Sequence, residues 1–210
     1  MTNPCTFYIV RHGETEGNKQ GILQGHNDTP LTEEGIRQAA ERSATFKDIK
    51  FADAFSSDLF RTQHTAEIVL AERQLAVKTT QLLRERSHGI YDGQKYEVYN
   101  QELKELLEAR EALSEEERFR HKIRDDIESD EEIMTRFLTF VRQTAVAYPH
   151  QNVLVVTHGG MIKTLLIHLG YVKAAQLHHG SISNLSYLVM NSDGVEFEVV
   201  RTEGISFTQN

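Results

Sequence analysis

Three short stretches carry side chains that could act together on an anion: Arg11-His12-Gly13-Glu14, Ser56-Ser57-Asp58-Leu59-Phe60-Arg61 and Thr157-His158-Gly159-Gly160. Guanidinium forks match planar oxyanions, and helix starts offer unpaired N–H groups with partial positive charge. The same set suits a cation poorly, because an arginine beside a metal ion would repel it. The chain has no H-E-x-x-H pair and a single cysteine, Cys5, so zinc-ligand spacing is absent. Neither a metal nor a cofactor is expected. A histidine among positive charges can do more than bind: the charges lower its pKa and leave it unprotonated near neutral pH. A phosphoryl transition state spreads charge over three equatorial oxygens, which arginine forks fit.

These stretches must be positioned by regular elements. Phe7-Tyr8-Ile9-Val10 and Val153-Leu154-Val155-Val156 are short, continuous apolar runs of the kind found in buried parallel strands, and each leads into a His-Gly step. Ala54 to Ser56 and Val77 to Leu83 are further strand candidates. Leu185 to Met190 and Val195 to Val200 alternate around Asn191-Ser192-Asp193-Gly194, which predicts a hairpin. Thr32 can cap a helix from Glu33 to Thr45, and Ser57 one from Asp58 to Arg73. Ser129-Asp130-Glu131-Glu132 is a capping box for a helix that stops near Tyr148-Pro149. Met161 to Leu169 reads as a helix ended by Gly170, and Tyr96 to Arg124 as two polar helical stretches forming a cap. Alternating strands and helices predict an α/β fold with a mostly parallel central sheet, whose sites lie beyond the carboxyl ends of the strands. All three stretches would then open on one rim. Gly13 to Pro30 shows no periodicity, and a stretch that long is usually functional.

Length and charge bound the answer. The 210 residues suit one domain, 1–210, with a cap insertion at about 86–128. Lysine and arginine total 23 against 31 acids, a net charge of −8. The acid excess lies between Glu97 and Glu132, so the remainder is balanced. That distribution argues against a nucleic-acid partner, which requires a basic face. No apolar run approaches the ~18 residues of a membrane span, and no signal peptide is evident, so a cytoplasmic location without membrane contact is expected.

The residues also match a family pattern. Arg11-His12-Gly13-Glu14, Arg61 within Ser56-Ser57-Asp58-x-x-Arg61-Thr62, and Thr157-His158-Gly159 resemble the signature of the histidine phosphatase superfamily, phosphoglycerate mutase-like branch. Asn18, Gln24-Gly25, Asp28-x-Pro30-Leu31-Thr32 and Leu83-Arg84-Glu85 extend the likeness over about residues 7–188. The Gln24-Gly25 loop and Leu83-Arg84-Glu85-Arg86 lean towards fructose-2,6-bisphosphatase (TIGAR-like) members. The sequence has Ile127-Glu128-Ser129 where the family often has Gly-Glu-Ser.

The resemblance implies a three-layer α/β/α fold and a phosphatase acting on small phosphomonoesters through a phosphohistidine, with phosphoglycerate mutase-type transfer as the alternative. It implies His12 as nucleophile, with Arg11, Arg61, His158, Asn18, Gln24, Gly25 and the Gly159 N–H around the phosphoryl group. Glu85 would protonate the leaving alkoxide and then activate water. Arg84 and Arg86 would have to point away from Glu85, as they would on a strand. The substrate is expected to be a small phosphorylated metabolite, with a phosphopeptide as the other option. Lys19, Arg86, His88, Tyr91 and Lys95 are candidates for substrate selection.

Overall fold

The two apolar runs become adjacent parallel strands, and their register decides where the chemistry lies. The computed structural model describes residues 3–208. In chain order its elements are β1 (Cys5–Arg11), α1 (Glu16–Lys19), β2 (Ile22–Leu23), α2 (Glu33–Phe46), β3 (Phe51–Ser57), α3 (Phe60–Val69), β4 (Val77–Thr80), β5 (Gln94–Lys95), α4 (Tyr96–Glu102), α5 (Lys104–Glu111), α6 (Glu115–Arg120), α7 (Asp130–Ala147), β6 (Asn152–Thr157), α8 (Gly159–His168), β7 (Ile182–Ser192) and β8 (Phe197–Ile205). The main sheet runs β4-β3-β6-β1-β7-β8. Strands β4, β3, β6 and β1 are parallel, and the β7–β8 hairpin is added antiparallel to β1.

Alternation along the central strands fills both faces. Phe7, Ile9, Val153 and Val155 pack with Phe137, Val141, Met161 and Leu165 of α7 and α8. Val10, Leu154, Val156 and Ala54 pack with Ala39 and Phe46 of α2 and Ala66 and Val69 of α3. Burying each such aliphatic side chain is worth roughly 1.5–3 kcal/mol, so the central strands hold both helical layers to the sheet. The expected three-layer α/β/α arrangement is what the chain forms. Because Arg11 pairs with Thr157 and Ser56 with Val156, the chemically equipped turns leave the sheet at one edge.

Capping explains where several helices start. The Thr32 hydroxyl accepts the Gly35 N–H at 3.0 Å. At Ser129 the hydroxyl accepts the Glu132 N–H, and the Glu132 carboxylate accepts the Ser129 N–H, completing the capping box. The helix expected after Ser57 differs. It begins at Phe60 with Leu59 in the cap position, and the caps come from Asp28, whose carboxylate accepts the N–H groups of Phe60 and Arg61. A cap from a distant loop replaces the local one.

Three further expectations are corrected. Strand β4 stops at Thr80, where the Thr80 hydroxyl accepts the Leu82 N–H and turns the chain into a 3₁₀ turn at Gln81–Leu83. Glu85 therefore lies on a loop rather than a strand. The polar stretch between 96 and 124 folds into three short helices, with Ser114 capping the third, instead of two. The aperiodic 13–30 segment is ordered by α1 and by β2, which pairs with β5 to tie the segment to residues 94–95. Tyr91, Tyr99, Leu103 and Ile127 form a separate small core beneath α4 and α5. Among the described residues no helix is long and apolar enough to cross a membrane.

Candidate active site

His12 emerges at the end of β1, nearly buried, with its ring 5.4 Å from that of His158 at the end of β6. Its Nδ1 lies 2.8 Å from the Gly13 carbonyl oxygen. A carbonyl only accepts, so Nδ1 carries the proton and, in the neutral ring, Nε2 keeps its lone pair. Burial, then the charges of Arg61 and Arg11, hold the His12 pKa well below the usual histidine value. The backbone is also fixed: the His12 carbonyl accepts from Asn184 Nδ2 at 3.0 Å, and the Gly13 N–H donates to Thr65 Oγ1.

His158 is fully buried and caps α8 by position only. Neither of its ring nitrogens has a protein partner. Burial, followed by the charges of Arg61, His12, Arg136 and Arg11, depresses its pKa well below the usual value. A neutral imidazole retains one N–H to donate.

The two arginines are held by backbone carbonyls. Arg61, itself buried, donates through Nη1 to the Asn27 carbonyl (2.7 Å) and Asp28 Oδ1 (3.0 Å), and through Nη2 to the Gly25 carbonyl (2.8 Å). Arg11 donates to the Ile182 carbonyl. The Nε atoms of both are buried without a protein partner. Leaving such donors unpaired costs ~1–3 kcal/mol each, an expense an oxyanion would relieve. Burial lowers the Arg11 pKa to about 10, with the Glu85 carboxylate acting in the opposite sense, so the guanidinium stays charged at neutral pH. A Cβ at Gly159 would stand 3.2 Å from Arg11 Nε, which puts this arginine against the first turn of α8.

Glu85 faces the same helix start. Its Oε2 accepts the Gly160 N–H at 2.9 Å and its Oε1 accepts the Arg86 N–H at 2.8 Å. A Cβ at Gly160 would sit 2.4 Å from Oε1, so alanine here would push the Glu85 carboxyl end aside. The neighbouring arginines are directed elsewhere, as expected, though through ion pairs rather than strand alternation. Arg84 forms a bidentate pair with Asp58, and Arg86 binds Asp130, the Glu128 carbonyl and Thr164.

The remaining expected residues occupy the wall. Asn18 Oδ1 accepts from Thr15 and Asn184, which leaves the amide nitrogen as its donating end. Gln24 is engaged at both ends, with Thr15 and Thr29, and Gly25 meets Arg61 through its carbonyl; their contacts are with the wall rather than open to a ligand. Several selection candidates are likewise occupied: Tyr91 with Glu102, Lys95 with the Gln20 carbonyl and the His88 N–H with Asp92. Ile127 needs no glycine, since its φ is not positive and its side chain enters the small core.

Sequence reasoning missed Asn184, Leu185, His26 and Arg136. Asn184 lies outside the motifs, yet its amide donates to the His12 carbonyl and to Asn18 Oδ1. Leu185 beside it is buried with φ of 54°, a conformation costing roughly 1–3 kcal/mol, where β7 departs from regular pairing. Its N–H reaches the His12 carbonyl at 3.4 Å. Asp28 was visible within a motif but without its role.

Comparison with known proteins shows the family and the fold. Residues 7–203 match the model of the histidine phosphatase superfamily (branch 1), and the chain belongs to that family. It is 31% identical over 173 residues to the adenosylcobalamin/alpha-ribazole phosphatase of Escherichia coli, covering 82% of this chain and 83% of that protein. A 90-residue stretch is 44% identical to the fructose-2,6-bisphosphatase TIGAR of Bos taurus, covering 40% of this chain and 33% of that one. Among solved structures, a phosphoglycerate mutase from Bacillus anthracis superposes with a TM-score of 0.78 at 28% identity, over 97% of this chain and 94% of the other.

Proposed function

We propose that the protein hydrolyses small phosphomonoesters through a phosphoryl group carried on His12. The observation that carries this reading is the Nδ1–Gly13 hydrogen bond, which directs the His12 Nε2 lone pair towards a site shared with His158, Arg11 and Arg61. Nε2 attacks phosphorus and the P–O bond to the alcohol breaks, with the charge on the equatorial oxygens met by the two guanidinium groups, the His158 N–H and the α8 N-terminus. Glu85, protonated, gives its proton to the leaving alkoxide. As a carboxylate it then takes a proton from water, whose oxygen attacks the phosphohistidine and returns His12 with inorganic phosphate. Substrate enters as a small phosphorylated metabolite of the cytoplasm.

The test is hydrolysis of a panel of mono- and bisphosphate esters, with His12→Ala as control and chelator present. Turnover that survives the chelator and is lost in the variant is expected. The mutase reading draws on the likeness to a phosphoglycerate mutase. Transfer between hydroxyls of phosphoglycerate without release of phosphate would establish it instead.

A further inference from the structure

Arg136 lies on α7, outside the phosphate-binding cup, yet every one of its N–H donors is used on the loop that carries Glu85 or on that loop's anchor. Nη1 donates to the carbonyls of Leu82 (3.1 Å) and Arg84 (2.6 Å). Nη2 donates to the Glu85 carbonyl (2.9 Å) and to Glu128 Oε2 (3.0 Å), and Nε donates to Glu128 Oε1 (3.1 Å). Glu128 holds the other side of the loop, its carboxylate accepting the Ser87 N–H and its own N–H donating to the Ser87 carbonyl. His26 Nε2 donates to the same Glu85 carbonyl at 2.9 Å. The residues on both sides of Glu85 are thus pinned, while its carboxylate rests on the Gly160 and Arg86 N–H groups.

This loop has no sheet register to place it, since β4 ends at Thr80. A planar fork with five donors in fixed directions supplies that placement, and an ammonium on a flexible stem cannot gather the same five acceptors. We infer that Arg136, braced by Glu128, is a positioning residue that sets the reach of the Glu85 carboxyl to the leaving-group oxygen. It touches no substrate; its charge also reaches His158, and Arg136→Lys keeps that charge, so this variant reads the placement of Glu85. The inference rests on the proposed role of Glu85 as proton donor.

The experiment is a double-mutant cycle of Arg136→Lys and Glu85→Gln, read on a phenyl phosphate with a good leaving group and on an alkyl phosphate with a poor one. For the alkyl ester, Arg136→Lys alone should lower kcat by about tenfold or more, towards the Glu85→Gln level, and the double variant should lose nothing beyond Glu85→Gln. For the phenyl ester the change should be about threefold or less. Arg136→Met, with matching thermal unfolding, separates lost folding from lost positioning, because misfolding lowers both esters equally. If Glu85→Gln lowers both esters alike, the role of Glu85 falls. If Glu85→Gln is selective and Arg136→Lys is not, or the losses add, Arg136 is only structural and the inference is overturned.

Discussion

The phosphate cup and the acid loop are two regions built by different means. His12, Arg11 and His158 leave adjacent strands in register, so sheet hydrogen bonds place them before any side chain acts. Glu85 leaves a strand that has already ended, and its loop is positioned by Arg136, Glu128 and His26. In the proposed mechanism, groups that stabilise charge common to every substrate stand on strand ends or, for Arg61, on the first turn of α3. The group that must meet a variable leaving oxygen stands on a loop next to the segment that differs most from a simple α/β plan. Damage to the cup should therefore affect all esters, and damage to the loop only those with poor leaving groups.

The largest effect that sharpens this contrast is at Arg61. Arg61→Lys removes the fork held by Asn27, Asp28 and Gly25, and should lower kcat/KM about a hundredfold for good and poor leaving groups alike. Steady-state kinetics on phenyl and alkyl phosphates checks this, and selective loss of the alkyl ester would break the comparison. A smaller and selective effect is expected of Gly160→Ala, whose methyl group collides with Glu85 Oε1. Alkyl phosphate turnover should fall about tenfold, with phenyl phosphate little changed.

Acidity probes the cup most strongly, with burial also lowering the pKa values of His168 and His179 outside it. His12 and His158 both have depressed pKa values in the fold, so below the ordinary histidine value near 6.5 the unfolded chain binds more protons than the native one. Stability from these two groups is fully present above that value and is lost as pH falls towards their folded pKa values. Denaturant unfolding between pH 7 and 5 should show stability declining with acid, and His158→Asn should flatten the decline. The smallest effect concerns Asp28, the external cap of α3: Asp28→Ala should cost about 1 kcal/mol in unfolding free energy and weaken phosphate binding through Arg61.

How much was legible in the sequence follows the same division. β1 and β6 announce themselves as apolar runs, and Thr32 and Ser129 as caps, because each signal is local. Arg11, His12, His158 and Arg61 could be read because they stand in fixed short motifs at the ends of such elements. The cap of α3 could not, since Asp28 reaches it from another loop, and Leu59 at the cap position gives no sign of it. The β-branched Val77, Thr79 and Thr80 with Leu82 and Leu83 favour a strand and hide the turn begun by Thr80. Asn184 and Arg136 carry no motif of their own, and only tertiary packing brings them to His12 and Glu85. The three short helices at 96–120 are polar and interrupted, and periodicity over so few turns does not separate two helices from three.

The account depends most on Nε2 of His12 as the atom that takes the phosphoryl group, because Nδ1 is held by the Gly13 carbonyl. The direct measurement is rapid quenching of turnover with a phosphate ester under alkaline conditions, followed by phosphorus NMR and mass spectrometry of the peptide bearing residue 12. The predicted result is an acid-labile phosphohistidine on His12, substituted at Nε2 and absent in His12→Ala. A phosphoryl group on Nδ1, on His158 or on a serine, or full turnover in His12→Ala, would contradict it.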